Sequence, residues 1–187
     1  MAKVIAGWLL ASLVPVVAAA GDAIQPGDVN GPMAWGSAKN VMNIKHVYLS
    51  GQPDQTGLEA AAAHGVEVVI NLRDPSEREW DEQSAADGLG LIYYNVPVSR
   101  GSDTFSREAM QRIEAIVDEH RGQKILVHCA SGNRAAGWLA THLATQHGLA
   151  AEEAVAVARE AGMSKAVTES RVRNYLQQPS EAVEREQ

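Results

Sequence analysis

The chain has 187 residues, 45% of them hydrophobic and 21% charged, enough for one well-buried core and too few for two ordinary domains. Its formal net charge of -7 excludes a non-specific nucleic-acid binder, which needs a basic face to displace counterions. Any phosphate site must therefore be local. The single cysteine, Cys129, cannot form an internal disulfide, so it is either an inert buried residue or a thiol kept for reactivity.

Residues 1–20 carry Lys3, an apolar stretch from Val4, and a closing Ala18-Ala19-Ala20, the pattern of a secretory signal cleaved after Ala20. Gly7, Ser12 and Pro15 interrupt the stretch and no lipidation cysteine follows. The expectation is a periplasmic or secreted protein with no stable membrane anchor after cleavage. Residues 21–42 are rich in Gly, Pro, Asn and Ser without a period of either kind, which reads as an extended arm before a domain over 43–178. The glutamate-rich 179–187 reads as a flexible tail.

Within the domain, a short strand at His46–Leu49 and a turn at Ser50-Gly51-Gln52-Pro53 come first. Thr56 with Glu59 has the capping-box pattern for a helix ended by Gly65. Val66-Glu67-Val68-Val69-Ile70 is nearly all apolar and β-branched, as a strand covered on both faces should be. Ser76 with Glu79 repeats the capping pattern for a helix to Asp87-Gly88, and a strand follows in Leu91–Val98. Met110, Ile113, Ile116 and Val117 fall at helical spacing. A third strand, Ile125-Leu126-Val127-His128, leads into Cys129, and Trp138, Leu139, His142 and Leu143 share a face of the next helix. Two more helices are expected at Ala151–Ala161 and Thr168–Gln177. Strands alternating with helices imply an α/β fold, a mainly parallel central sheet flanked by helices, with reactive groups at the carboxyl ends of the strands.

The segment His128-Cys129-Ala130-Ser131-Gly132-Asn133-Arg134 runs from buried strand through a tight loop into a helix. Unpaired N–H groups at a helix start stabilise an anion, and a thiolate equally. Gly132 lets the loop curl, and Arg134 offers a planar fork for two oxygens. Ala130, Ser131, Gly132, Asn133 and Arg134 are thus the candidate anion cradle, Cys129 the candidate nucleophile, and His128 a candidate orienter of the loop or a simple strand histidine. Arg73 and Arg100, each near a strand end, are candidates for a second positive charge. His64, His120, His142 and His147 are scattered, and the five-residue separation of the last two is no ligand spacing on one helical face, so no metal is inferred.

The loop resembles the signature of the cysteine-dependent protein tyrosine phosphatases, and more narrowly the bacterial dual-specificity-like branch named after a β-lactamase hydrolase-like protein. Ser50-Gly51-Gln52-Pro53, Val68 to Arg73, Tyr94-Asn95-Val96-Pro97-Val98 and the helical stretch from Glu153 to Leu176 fit the same branch. The resemblance implies a phosphocysteine formed on Cys129, with Arg134 and loop amides holding phosphate, no cofactor, and a phosphorylated protein or small phosphoester as substrate. It also implies a general acid at Asp103, with Asp74 and Glu77 as rivals; alternatively Asp103 only helps to start a helix at Thr104. Two departures stand out. Four residues rather than five separate the cysteine from the arginine, and Ala135 replaces the hydroxyl residue that helps the thiolate leave. A loop of this length also resembles that of single-domain rhodaneses, so sulfur transfer through a Cys129 persulfide is a second expectation. Binding of a phospho-ligand without turnover is a third.

Overall fold

The computed structural model describes residues 24–179, so the expected signal at 1–20 and the end of the tail lie outside the described residues. Among these residues six strands form one sheet: β1 (Asn30–Trp35), β2 (Ala38–Ile44), β3 (Val47–Ser50), β4 (Val66–Asn71), β5 (Ile92–Asn95) and β6 (Lys124–His128). Their order is β1-β2-β3-β6-β4-β5. The pairs β3/β6, β6/β4 and β4/β5 are parallel, and β1/β2 and β2/β3 are antiparallel. The α/β expectation, a mainly parallel sheet flanked by helices, is met.

Among the described residues six α-helices cover the sheet: α1 (Gln55–Ala63), α2 (Glu82–Gly88), α3 (Arg107–Glu119), α4 (Asn133–Gln146), α5 (Ala151–Glu160) and α6 (Ala166–Gln177). Alternate strand residues face opposite sides. Ile125 and Val127 of β6, with Val68 and Ile70 of β4, pack against α3, α4, α5 and α6. Leu126 and Val69 turn the other way, onto Leu58 of α1 and Ala86 of α2. The central strands are covered on both faces, which is why they read as unbroken apolar runs.

The helix starts differ from the sequence expectation. Asp54, not Thr56, caps α1, its side chain accepting from the Gly57 N–H at 2.8 Å. The second capping box is formed by Asp74 and Glu77 around a 3-10 turn, Pro75–Glu77, and α2 begins only at Glu82 behind Asp81. Ser106 caps α3, so neither Asp103 nor Thr104 begins that helix. In each case an acceptor of the right kind lies a few residues away, and at Asp54, Asp74 and Ser106 the backbone is extended where the chain enters the turn, as a cap residue requires. Most of the stretch read as an extended arm, from residue 30 to 42, instead belongs to the β1–β2 hairpin, which runs on to Ile44. Trp35 at its tip is buried against Tyr48, the ring centroids 5.0 Å apart.

Candidate active site

Register brings the strand ends together. Ser50 of β3 and Asn71 of β4 both pair with His128 of β6. Cys129 follows immediately, its N–H donating to the Ser50 carbonyl at 3.2 Å, and its side chain is only 1% exposed. Ser131 bridges to Gly51, and its carbonyl accepts from Asn40 Nδ2 at 3.2 Å. Gly132 turns the chain into α4 with φ +86°, a left-handed conformation suited to glycine.

No side chain caps α4, so the N–H groups of its first turn are left to whatever lies in front of them. A cavity of about 200 Å³ lies there, walled by Ala130, Ser131, Asn133, Arg134 and Arg100 and, from the start of α6, by Lys165, Thr168 and Arg171. Asn133 fastens the two helix starts together, its Oδ1 accepting from the N–H groups of Ser164 at 3.0 Å and Lys165 at 2.9 Å. Of the loop residues expected to cradle an anion, Ala130, Ser131, Asn133 and Arg134 border this cationic cavity and Gly132 does not, and neither Cys129 nor Asp103 is among its walls; a second uncapped helix start lies beside it.

Arg134 is tied down on its far side. Its guanidinium grips Glu77 through Nη1 at 2.9 Å and Nη2 at 2.7 Å, and Nη1 also donates to the Val98 carbonyl at 2.8 Å and the Leu72 carbonyl at 3.2 Å. Glu77 also faces Arg100 Nε at 3.5 Å. Burial pushes the Glu77 carboxyl up, but hydrogen bonds from Arg134 and a backbone N–H, with the charges of Arg134 and Arg100, outweigh it and hold the carboxyl below its ordinary value. Glu77 is thus an ionised partner for arginine, ill suited to give up a proton near neutrality. Asp74, the other rival acid, accepts from the Ser76 N–H, which holds it low as well. Asp103 is exposed on the 99–105 loop, whose main chain is pinned to α6: Asn174 Nδ2 donates to the Asp103 carbonyl at 2.8 Å, and Arg171 Nη2 donates to the Ser99 carbonyl at 2.5 Å.

Beneath the loop lies a buried polar cluster whose members come from four separate segments of the chain. His128 Nε2 sits 2.8 Å from Glu82 Oε1, both side chains out of solvent, at an angle poor for a hydrogen bond. Glu82 Oε2 accepts from Asn71 Nδ2 at 2.8 Å and Gln52 Nε2 at 3.0 Å, and Gln52 Oε1 accepts from Arg73 Nη1 at 2.5 Å. Burial pushes the Glu82 carboxyl up, while the neighbouring His128, Gln52 and Arg73 bring it below its ordinary value. This cluster ties together the ends of β3, β4 and β6, on which the cysteine loop stands. Arg73 belongs to it rather than to the cavity, whereas Arg100 does line the cavity. Sequence reading also missed Arg171 and Lys165. Arg171 did leave a signal, since Thr168, Arg171, Val172 and Tyr175 occupy one buried face of α6 at helical spacing, an arginine among residues that should be apolar.

No protein-family model matches the chain, and no curated protein matches it in sequence. Solved structures do match in fold. The architecture is that of the tyrosine and dual-specificity phosphatases, a class the cysteine loop at the end of the central strand had suggested. The chain is similar to a putative phosphatase (DUF442) from Shewanella putrefaciens CN-32, with TM-score 0.60 and 20% identity over 74% of this chain and 91% of that one. It is similar to Tk-PTP in its active form, with TM-score 0.60 and 23% identity over 73% of this chain and 92% of the other. Pseudomonas aeruginosa TpbA in complex with pTyr gives TM-score 0.59 and 15% identity over 74% and 83% of the two chains. At these identities the likeness establishes the fold.

Proposed function

We propose that the protein is an exported, cysteine-dependent phosphomonoester hydrolase with Cys129 as nucleophile. The observation that carries this reading is the cationic cavity at the uncapped start of α4, in the loop directly after Cys129. The phosphoryl oxygens take the α4 N–H groups and the cationic walls. Cys129, as the thiolate, attacks phosphorus, the phosphorus–oxygen bond to the leaving group breaks, and Asp103 gives that oxygen its proton. Water then attacks the phosphocysteine, releasing inorganic phosphate and the thiolate. Since Ala135 offers no hydroxyl to the departing sulfur, the second step is the slow one. The fold-neighbours TpbA and PTPMT1, solved with pTyr and PI(5)P, support a phosphomonoester as the substrate class, either a phosphorylated protein or a small phosphoester. The secretory-signal pattern of residues 1–20 supports a substrate outside the cytoplasm.

A second reading, phospho-ligand binding without turnover, is favoured by the near-complete burial of Cys129 and by the hold of Glu77, Leu72 and Val98 on Arg134. Incubation of the mature protein with an aryl phosphate, beside Cys129→Ser, decides between them. Hydrolysis lost in Cys129→Ser, with a burst of aryl alcohol before the steady state, is the expected result. Binding of the phosphoester with no turnover in either protein selects the second reading. Thiocyanate formed from thiosulfate and cyanide would replace both with sulfur transfer.

A further inference from the structure

Arg171 is 4% exposed and lines the same cavity, yet no carboxylate among the described residues meets it. Its hydrogen bonds among the described residues run through Nη2, to the Ser99 carbonyl, Ser102 Oγ and the Thr104 carbonyl, all neutral acceptors. Its guanidinium stacks over Phe105 at 4.5 Å, and its Nε is buried with no partner. A buried guanidinium without a counter-ion is costly, and a wall that holds one is built for an anion to complete. Arg134 differs, because Glu77 already neutralises it.

The charge count sharpens this. Among the described residues, Arg100, Arg134, Lys165 and Arg171 border the cavity and Glu77 is the one carboxylate paired with any of them, so three positive charges are left over. One phosphomonoester brings at most about two negative charges. At least one cation then stays unpaired, and the buried Arg171 is the one that water serves least. We propose that the cavity takes a small bisphosphorylated ligand. One phosphoryl group lies at the start of α4 for reaction, and the second is held by Arg171 and Lys165 at the uncapped start of α6. The inference rests on the cavity being the phosphoryl site.

Calorimetric titration of the mature chain carrying Cys129→Ser, with propyl phosphate and with 1,3-propanediol bisphosphate, tests it. The bisphosphate should bind at least about tenfold tighter, the scale of one extra charge-assisted contact. That ratio should fall toward one in Lys165→Ala and in Arg171→Gln. Lys165 is exposed, so its variant keeps the test sound even if Arg171→Gln loosens the 99–105 loop. A ratio near one in the parent while propyl phosphate binds, or a ratio unmoved by both substitutions, overturns the second subsite and leaves the phosphoryl reading standing. If neither compound binds, the phosphoryl reading fails and the subsite with it.

Discussion

Glu77 sets what Arg134 can do. With both side chains under a tenth exposed, the pair is a buried clamp joining the turn after β4 to the start of α4, and removing one partner strands the other charge. Glu77→Ala should therefore destabilise the fold by about 3 kcal/mol, read from urea unfolding at neutral pH. The pH dependence has a definite sign. Because the folded carboxyl sits below its ordinary 4.5, the unfolded chain binds the proton first as pH falls, so the clamp's contribution is full above 4.5 and disappears as pH drops through the lower folded value. The stability gap between wild type and Glu77→Ala should shrink over that acid range and stay constant above it. At this scale the sequence was legible for the place of Cys129 in the tight loop between β6 and α4, because strand pattern and glycine act locally. It was not legible for Glu77 as a clamp, since Glu77 and Arg134 are 57 positions apart and nothing local distinguishes a carboxylate that pairs with arginine from one that donates a proton.

At the scale of elements, α4 carries the cysteine loop on one end and packs its middle against the loop that bears Asp103. Gly137 makes that approach possible: a Cβ there would come within 2.7 Å of Phe105 Cζ and 3.0 Å of Thr168 Cγ2. Gly137→Ala should cost about 1–3 kcal/mol in unfolding experiments, the range for overpacking a close-packed interior. Displacing Phe105 also disturbs the ring on which Arg171 rests and the loop holding Arg100 and Asp103. Aryl phosphate turnover, measured under conditions where the variant stays folded, should fall as well. The strands at Val66 and Ile125 and the helix through Met110 and Ile113 were plain from periodicity because both periods are local. Helix starts were less so. Thr56, Asp54, Ser76 and Asp74 are all competent caps, and the choice among them depends on the backbone conformation each is given by the preceding strand end.

For the whole molecule, the main departure is the N-terminal hairpin. Gly, Pro and Asn in residues 21–42 gave a composition of loops, and the hairpin's exposed face has little apolar pattern to show. Trp35 and Val41, both buried, fasten it to Leu58 and Tyr48 on the α1 side of the sheet. Trp35→Ala should lower unfolding stability by about 3–5 kcal/mol, the cost of emptying a large aromatic site. A change near zero would mean that the hairpin is an appendage to the sheet.

What the sequence determined alone was the succession of strands and helices and the placing of one cysteine between a buried strand and a helix start, because hydrophobic period, β-branching and glycine act over a few residues. What tertiary structure alone decided was the partnering of charges: Glu77 with Arg134, Glu82 with His128, and Arg171 with no carboxylate among the described residues. Electrostatic partners are chosen by distance through the fold, and residues far apart in the chain meet only after the sheet has set its strand order.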